Sequence, residues 1–140
     1  MSSTSGAGAP FPSLEWMQAY ADEVGRHPRA DQIAADLQGR YRFIIDPGGG
    51  FRRREAYDFV VAEGSFDAVT ATDKPAMMVV TASYPRWKKL LTGQSNVMLS
   101  LLMRQITVEG DMGEITGLIS DTRPLLDCLS RVRTHFPHAA

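Results

Sequence analysis

Two carboxylates and one cysteine are the residues whose types could support catalysis. Asp58 falls in the middle of an apolar strand pattern and Glu109 ends another, so either could serve as a general base in a pocket. Cys128 lies between Leu125 and Leu129, and the sequence places no histidine near it that could activate a thiolate. The simpler interpretations are solvent-facing strand positions for the carboxylates and core packing for Cys128. No catalytic residue is therefore assigned.

Histidines and a run of arginines are the other groups with possible binding chemistry. His135 and His138 stand near the C-terminus with no third ligand beside them, so neither a metal site nor a cofactor is predicted. Arg52, Arg53 and Arg54 follow a glycine-rich loop, where they could hold a phosphate or CoA headgroup or touch an anionic bilayer. The alternative is that they solvate a hairpin end and blunt an edge strand.

The composition limits the class of protein. A chain of 140 residues is long enough for one domain with its own core. Its 15 basic and 16 acidic residues give a net charge of -1, which offers no general attraction for nucleic acid, so none is predicted as a partner. A single cysteine excludes an internal disulfide and a zinc site built from several thiolates, and the cytoplasm is the default compartment.

The N-terminal stretch MSSTSGAGAP has neither the basic nor the apolar region of a secretory signal. No later stretch reaches the ~18 apolar residues that a membrane span requires. We predict a disordered tail over residues 1–12, a single domain over residues 13–136 and a frayed C-terminus over residues 137–140. Twelve arginines against three lysines are typical of a GC-rich bacterial genome.

Hydrophobic periodicity predicts the elements that must position these residues. Spacing of 3.6 residues predicts five helices, at residues 14–24, about 30–37, 84–91, 97–104, and from Asp121 or Thr122 onward. Alternation of apolar and polar residues predicts five strands, at residues 41–45, 57–62, 65–72, 76–82 and 106–110. This order predicts an α+β protein whose five-stranded, largely antiparallel sheet is covered by about five helices.

The short helix predicted over residues 97–104 is apolar around most of its circumference. Only Ser100 and Arg104 share a polar stripe. A surface helix normally shows one apolar stripe, so this one needs cover from the sheet on one side and from something else on the other. The second partner could be a ligand, the final helix or a second subunit.

Three motifs follow one another in the second half of the chain. They are WKKLLTG at residues 87–93, VMLSLLM at residues 97–103 and ITVEGDM at residues 106–112, preceded by GRYRFIID and AYDFVVAEGSF. This ordered set resembles the sterol carrier protein type two family over residues 14–118. The resemblance implies a sheet with helices over one face and an apolar tunnel between them that accepts sterols, fatty acids, acyl-CoA or phospholipid. It implies no cofactor and no catalytic residue.

The tunnel lining that the resemblance implies consists of apolar residues on the fourth and fifth strands and the two helices between them. They are Met77, Val79, Trp87, Leu90, Leu91, Met98, Leu101, Leu102, Met103 and Ile106. Methionine suits a tolerant lining because its unbranched side chain repacks around different ligands. Ordinary core packing is the alternative for all of them. Trp87 could form the lip of a tunnel mouth or a wedge against the sheet, and the helix after Asp121 could line the tunnel or plug it.

The leading hypothesis is a cytoplasmic, non-catalytic carrier that encloses one acyl or sterol ligand. It would be a monomer or homodimer with at most transient membrane contact. One alternative is an interaction or dimerisation module of the same fold with a collapsed tunnel. A weaker alternative is an enzyme acting on a lipid-like substrate, which requires Asp58 or Glu109 to face the cavity.

Overall fold

The structure, a computed structural model, describes residues 8–110 and 115–137 of the chain. Within these ranges it contains seven strands, six α-helices and one 3₁₀ turn. In chain order they are β1 (Ala9–Pro10), α1 (Leu14–Gly25), α2 (Ala30–Asp36), β2 (Gly39–Asp46), β3 (Glu55–Ala62), β4 (Ser65–Thr70), β5 (Met78–Ser83), α3 (Tyr84–Leu91), α4 (Val97–Leu102), β6 (Thr107–Gly110), α5 (Ile115–Asp121), α6 (Arg123–Asp127), the 3₁₀ turn Cys128–Arg131 and β7 (Thr134–His135).

Five of the strands form one sheet in the order β4-β3-β2-β5-β6. All neighbouring pairs are antiparallel except β2 and β5, which run parallel with Phe43 opposite Val80. The parallel pair arises because the chain completes the β3–β4 hairpin before it returns to the free edge of β2. The predicted α+β class with a largely antiparallel five-stranded sheet is confirmed, with six α-helices in the described residues rather than about five.

The helices cover one face of this sheet through aromatic packing. The ring of Phe43 on β2 lies 5.6 Å from that of Tyr20 on α1 and 5.4 Å from that of Trp87 on α3. Tyr20 also meets Phe59 on β3 at 4.9 Å. Large rings bury more apolar area per side chain than any other residue, so these contacts hold the helical layer to the sheet.

The first helix forms as predicted because its ends and its buried stripe are encoded locally. The hydroxyl oxygen of Ser13 caps α1 by accepting a hydrogen bond from the backbone N–H of Trp16 at 3.0 Å. Buried residues recur at helical spacing along it, at Trp16, Met17, Tyr20, Ala21 and Val24. The hydroxyl of Tyr20 donates a hydrogen bond to the Leu125 carbonyl oxygen at 2.6 Å, which joins α1 to α6.

The N-terminal tail predicted over residues 1–12 includes residues that belong to the folded domain. Ala9–Pro10 pairs in parallel with Thr134–His135, and Phe11 is buried with its ring 5.0 Å from that of Trp16. Two-residue strands have no periodicity, so neither β1 nor β7 could be recognised from the sequence. Residues 1–7 and 138–140, the latter including His138, lie outside the described residues.

The last part of the chain differs from the single final helix that was predicted. Helix α5 precedes it, and α6 starts at Arg123 with Pro124 in its first turn before giving way to the 3₁₀ turn. Proline is accepted there because the first turn of a helix leaves its N–H groups unbonded. The start of α5 was missed because Gly117 and Ser120 weaken the apolar pattern.

The sheet face turned away from the helices carries a buried ion-pair cluster. Asp58 on β3 has no exposed surface, and it accepts hydrogen bonds from Arg40 at 2.6 Å and from Arg42 at 2.7 and 3.1 Å. The register places Arg42 directly opposite Asp58, and Arg42 also reaches the Lys74 carbonyl oxygen at 2.6 Å. The solvent-facing interpretation of Asp58 is therefore wrong, because two arginine side chains cover its carboxylate.

Burial and hydrogen bonding act in opposite directions on this carboxylate. Burial raises the pKa of Asp58, but the hydrogen bonds and charges of Arg42 and Arg40 lower it by more, so the pKa lies below its ordinary value. A carboxylate whose pKa falls on folding contributes stability above its unfolded pKa of ~4. That contribution is lost as the pH falls through the lower, folded pKa.

Replacing Asp58→Asn is expected to lower the free energy of unfolding at pH 7 by about 3 kcal/mol, because it leaves two largely buried guanidinium groups without their counter-charge. The variant should also lose part of the acid sensitivity of the wild type below pH ~4. Urea unfolding across that pH range measures both effects. Asp67→Asn, an exposed position on the neighbouring strand, is the control and should change little. Equal acid dependence of Asp58→Asn and wild type would contradict this account.

Candidate functional site

A cavity of about 530 Å³ lies between the end of α3, α4 and the C-terminal helices. Its lining residues come from α3, the segment before α4, α4 itself, α5, α6 and the 3₁₀ turn. They are Leu90, Ser95, Asn96, Val97, Met98, Leu99, Leu102, Ile119, Ser120, Arg123, Leu126, Asp127, Leu129 and Ser130. None of these residues belongs to a strand.

The cavity has a fixed side and a more accessible side. Leu90 and Val97 are buried on one wall, and Ile119 and Leu129 are buried on the wall across from them. Met98 and Leu126 are only half-buried, and Leu102 is 67% exposed. The interior walls are therefore held by the core, whereas α4 and α6 supply side chains that have room to move.

Polar groups occupy part of the rim. The Arg123 Nε lies 3.8 Å from the Asp127 Oδ2, and both side chains are more than half exposed. An exposed ion pair at this distance contributes little, so Arg123 is available for another anion at small cost. Asn96 is already used, since its Oδ1 accepts a hydrogen bond from the Leu99 N–H at 2.8 Å and caps α4.

Helix α4 does not have the polar stripe that the sequence predicted. Ser100 is buried with Val97, and its hydroxyl lies 2.7 Å from that of Ser95. Arg104 follows the helix in the left-handed region, at φ 59°. The predicted polar stripe of Ser100 and Arg104 is therefore wrong, because paired hydroxyls satisfy each other inside the protein.

The outer side of α4 is apolar instead. Leu99, Leu102 and Met103 are among the exposed large hydrophobic residues of the described chain. Met98 and Leu102 face the cavity, with α5 and α6 on its far side. Helix α4 therefore faces the cavity on one side, and on its other side its apolar residues are exposed to solvent.

Three of the ten predicted lining residues, Leu90, Met98 and Leu102, line this cavity. Trp87, Leu91 and Ile106 are buried in the core, and Leu101 is half-buried against it. Met103 is exposed on α4. Met77 packs beside Gly39, at the start of β2. Val79 pairs with Arg42 and Glu109 on the sheet face away from the helices, so it cannot contact a ligand held between sheet and helices.

Trp87 packs against the sheet and does not line the cavity. It is fully buried, and its indole N–H donates a hydrogen bond to the Ile44 carbonyl oxygen at 2.9 Å. This geometry is that of a wedge against the sheet rather than of a tunnel lip. Trp87, Tyr20 and Phe43 fill the space above β2, and the cavity is lined by residues of the helices and turns alone. The cavity thus differs from the tunnel between sheet and helices that the resemblance implied.

The predicted headgroup arginines lie at a hairpin end, and none of them lines the cavity. Arg53 pairs with Glu55 at 3.0 Å and Arg54 with Asp46 at 3.1 Å, and Arg52 is exposed beside them.

The candidate catalytic residues lie elsewhere as well. Asp58 is enclosed by its two arginines, and Glu109 is exposed at the edge strand β6. Cys128 is fully buried with its Sγ 3.4 Å from the Pro124 carbonyl oxygen, and burial raises the pKa of its thiol. Among the described residues no three His, Cys, Asp or Glu side chains cluster as metal ligands would. In the same part of the chain, no helix has the length and apolar character needed to cross a membrane.

The sequence analysis missed α5 and left open whether the final helix lines or plugs the tunnel. Ile119 on α5, Leu126 on α6 and Leu129 on the 3₁₀ turn all line the cavity. The sequence of the final helix did contain a signal that it contacts something besides the core. Leu125 and Cys128 already provide a buried stripe there, so the extra apolar residue Leu126 needed a partner of its own.

The fold and the cavity together define a small α+β domain with an apolar pocket within its helical layer. The model of the SCP-2 sterol transfer family matches residues 20–120, which is more than two thirds of the sequence. The chain therefore belongs to this family, and the resemblance seen in its motifs is confirmed. Among curated proteins none matches the sequence at a significant level.

Solved structures have the same fold. A conserved hypothetical protein from Thermus thermophilus, described as a possible sterol carrier protein, matches at 18% identity with a TM-score of 0.68, covering 99% of this chain and all of its own. A sterol carrier protein 2 matches at 20% identity with a TM-score of 0.64, covering 84% and 95%. A palmitated SCP2L2 from Aedes aegypti matches at 13% identity with a TM-score of 0.54, covering 79% and 90%.

The two sides of the cavity should differ in their contribution to stability. Leu90→Ala is expected to lower the free energy of unfolding by about 2–4 kcal/mol, because Leu90 is 3% exposed and packs in the core. Leu102→Ala, at 67% exposure, should change it by less than about 0.5 kcal/mol. Urea denaturation of the two variants makes the comparison. A large loss of stability for Leu102→Ala would mean that α4 is packed against something in solution.

Proposed function

We propose that this protein is a non-catalytic lipid carrier that holds one acyl chain, or an apolar ligand of similar size, in the cavity between α4 and the C-terminal helices. The observation that carries the proposal is the cavity itself in a member of this family. Its 530 Å³ falls within the ~300–1,000 Å³ typical of small-molecule sites. Eight apolar side chains line its walls: Leu90, Val97, Met98, Leu99, Leu102, Ile119, Leu126 and Leu129.

Apolar burial alone is sufficient for useful affinity. An acyl chain of ~14 methylenes gains on the order of 11 kcal/mol gross when it leaves water. Ordering the ligand takes several kcal/mol back. Micromolar binding requires only about 8 kcal/mol, so a carrier of this kind needs no strong polar recognition. The palmitated relative from Aedes aegypti supports an acyl ligand as the first choice.

The rim favours a fatty acid among the possible acyl lipids. Arg123 borders the cavity and is held by Asp127 only at 3.8 Å, so its guanidinium can turn to a ligand carboxylate. Acyl-CoA, phospholipid and sterol remain further candidates for the same walls. Arg52, Arg53 and Arg54 do not border the cavity, so the headgroup of a bound ligand is not assigned to them.

Catalysis is not part of the proposal. An enzyme acting in this cavity requires a base or nucleophile at its walls. Asp58, Glu109 and Cys128 are not among the lining residues. The carboxylate that does border the cavity, Asp127, is more than half exposed.

The alternative is an interaction module, and the exposure of Leu99, Leu102 and Met103 favours it. In that case a partner protein or a second copy of the chain covers these residues, and the cavity holds no lipid. Light scattering of the purified protein and native mass spectrometry separate the two functions. A lipid bound to a monomer supports the carrier, and an empty dimer supports the module.

Displacement of a fluorescent fatty acid tests the proposal quantitatively. Palmitate should displace the probe at low micromolar concentration, and Arg123→Gln should weaken palmitate binding about three- to fivefold through loss of one exposed ion pair. Hexadecanol has no carboxylate, so its affinity should not change in that variant.

The matched control is Arg131→Gln, an exposed arginine on the 3₁₀ turn that does not line the cavity, and it should bind palmitate as the wild type does. No displacement by palmitate at tens of micromolar would contradict the carrier function. An equal loss in Arg123→Gln and Arg131→Gln would contradict the role of Arg123.

A further inference from the structure

Helix α4 exposes apolar side chains and buries Ser100, its one polar residue. Leu102 is 67% exposed, Met103 59% and Leu99 46%. The other large hydrophobic residues with comparable exposure in the described chain, Leu14 and Val69, lie singly on α1 and β4. A contiguous group of three on one short helix marks an interaction surface more clearly than scattered residues do.

The shape of α4 does not depend on burying these three side chains. Asn96 caps the start of the helix, and the Ser95 and Ser100 hydroxyls join it to the preceding segment. The backbone N–H of Gln105 donates to the Ser100 carbonyl oxygen at 2.8 Å after the chain has turned at Arg104. The exposed apolar residues are thus carried on a helix whose ends are fixed by polar contacts.

The segment of the chain that contains α4 has basic residues and no acidic one, although Asp127 of α6 lines the same cavity as Leu99 and Leu102. Residues 74–108 contain five basic residues and no acidic one, whereas the remaining residues hold the other 10 basic and all 16 acidic residues. The five are Lys74, Arg86, Lys88, Lys89 and Arg104. Lys89 and Arg104 are both exposed; Lys89 precedes α4 in the chain and Arg104 closely follows it.

We propose that α4 docks on an anionic lipid bilayer, with Leu99, Leu102 and Met103 in the interfacial region and Lys89 and Arg104 against the lipid headgroups. Apolar side chains on an interfacial helix enter the boundary between headgroups and acyl chains. Basic side chains are attracted by the negative surface potential, which falls off within a Debye length. A short helix with two flanking cations gives weak, reversible binding.

Charge also favours a bilayer over a second copy of this chain. A two-fold contact through α4 would bring two segments without acidic residues against each other. Like charges would then face each other without counter-charge from those segments. An anionic surface supplies the opposite sign instead.

Docking through α4 gives the cavity a route to its ligand, and this part of the inference rests on the proposed carrier function. Leu99 and Leu102 belong both to the exposed surface and to the cavity lining. With α4 in the interface, the accessible side of the cavity faces the lipid. An acyl chain can then pass between membrane and protein without crossing bulk water.

Co-sedimentation with vesicles tests the docking. Vesicles of equal phosphatidylglycerol and phosphatidylcholine should bind the wild type, and vesicles of phosphatidylcholine alone should bind it at least about tenfold less. Met103→Gln/Arg104→Gln should bind the anionic vesicles about tenfold less than wild type, through loss of one apolar and one basic contact. Neither residue lines the cavity.

The matched control is Leu14→Gln/Arg52→Gln, which removes one exposed apolar and one exposed basic residue elsewhere. It should bind the anionic vesicles as the wild type does. The docking proposal is overturned if the wild type does not bind, if both double variants bind equally, or if α4 is found in a dimer contact that excludes vesicles.

Fatty-acid displacement without vesicles separates this proposal from the carrier function. Palmitate should displace the probe from Met103→Gln/Arg104→Gln as it does from the wild type, although this variant binds anionic vesicles about tenfold less. That combination supports the docking. If the wild type binds vesicles through α4 but palmitate does not displace the fluorescent fatty acid, the carrier function is contradicted and the docking is still supported.

Discussion

The packing of Trp87 against the sheet is the constraint on which the rest of this structure depends. Its indole is tied to the Ile44 carbonyl oxygen and lies against Phe43, while Tyr20 closes the same layer from α1. Close packing of these large rings fills the space above β2 and β3. The cavity lies in the space that α4 shares with α5 and α6. The aromatic packing therefore keeps a ligand away from the part of the sheet that it covers.

This arrangement gives α4 an unusual role for so short a helix. It is fixed by the Asn96 cap, the buried Ser100 hydroxyl and the buried Val97, so its exposed residues Leu99, Leu102 and Met103 are not required for the core. Met98 contributes to the cavity wall, and Leu102 and Met103 remain exposed. In the proposed carrier, this one helix supplies both a wall for the ligand and the surface through which the ligand is exchanged. The C-terminal helices complete the wall, held in place by the Tyr20 hydrogen bond to Leu125.

The sequence predicted those features that depend on local pattern and failed for those that depend on packing. The sheet strands, the Ser13 and Asn96 caps and the helices α1, α3 and α4 follow from periodicity and capping residues. Strands β1 and β7 are too short to have a period. The polar stripe of Ser100 and Arg104 was predicted wrongly, because a paired serine can be buried while leucines stay exposed. The resemblance implied a tunnel between sheet and helices, whereas this cavity is lined by helices and turns alone, and its lining depends on packing between elements that are distant in the sequence.

The central claim is that a ligand lies among the helices and not against the sheet. Methyl-labelled methionine NMR tests it most directly, since Met98 lines the cavity and Met78 is buried on β5. On titration with palmitate, the Met98 methyl signal should shift in a saturable manner while the Met78 signal stays in place. A saturable shift of Met78 with Met98 unchanged would place the ligand above the sheet and contradict this account.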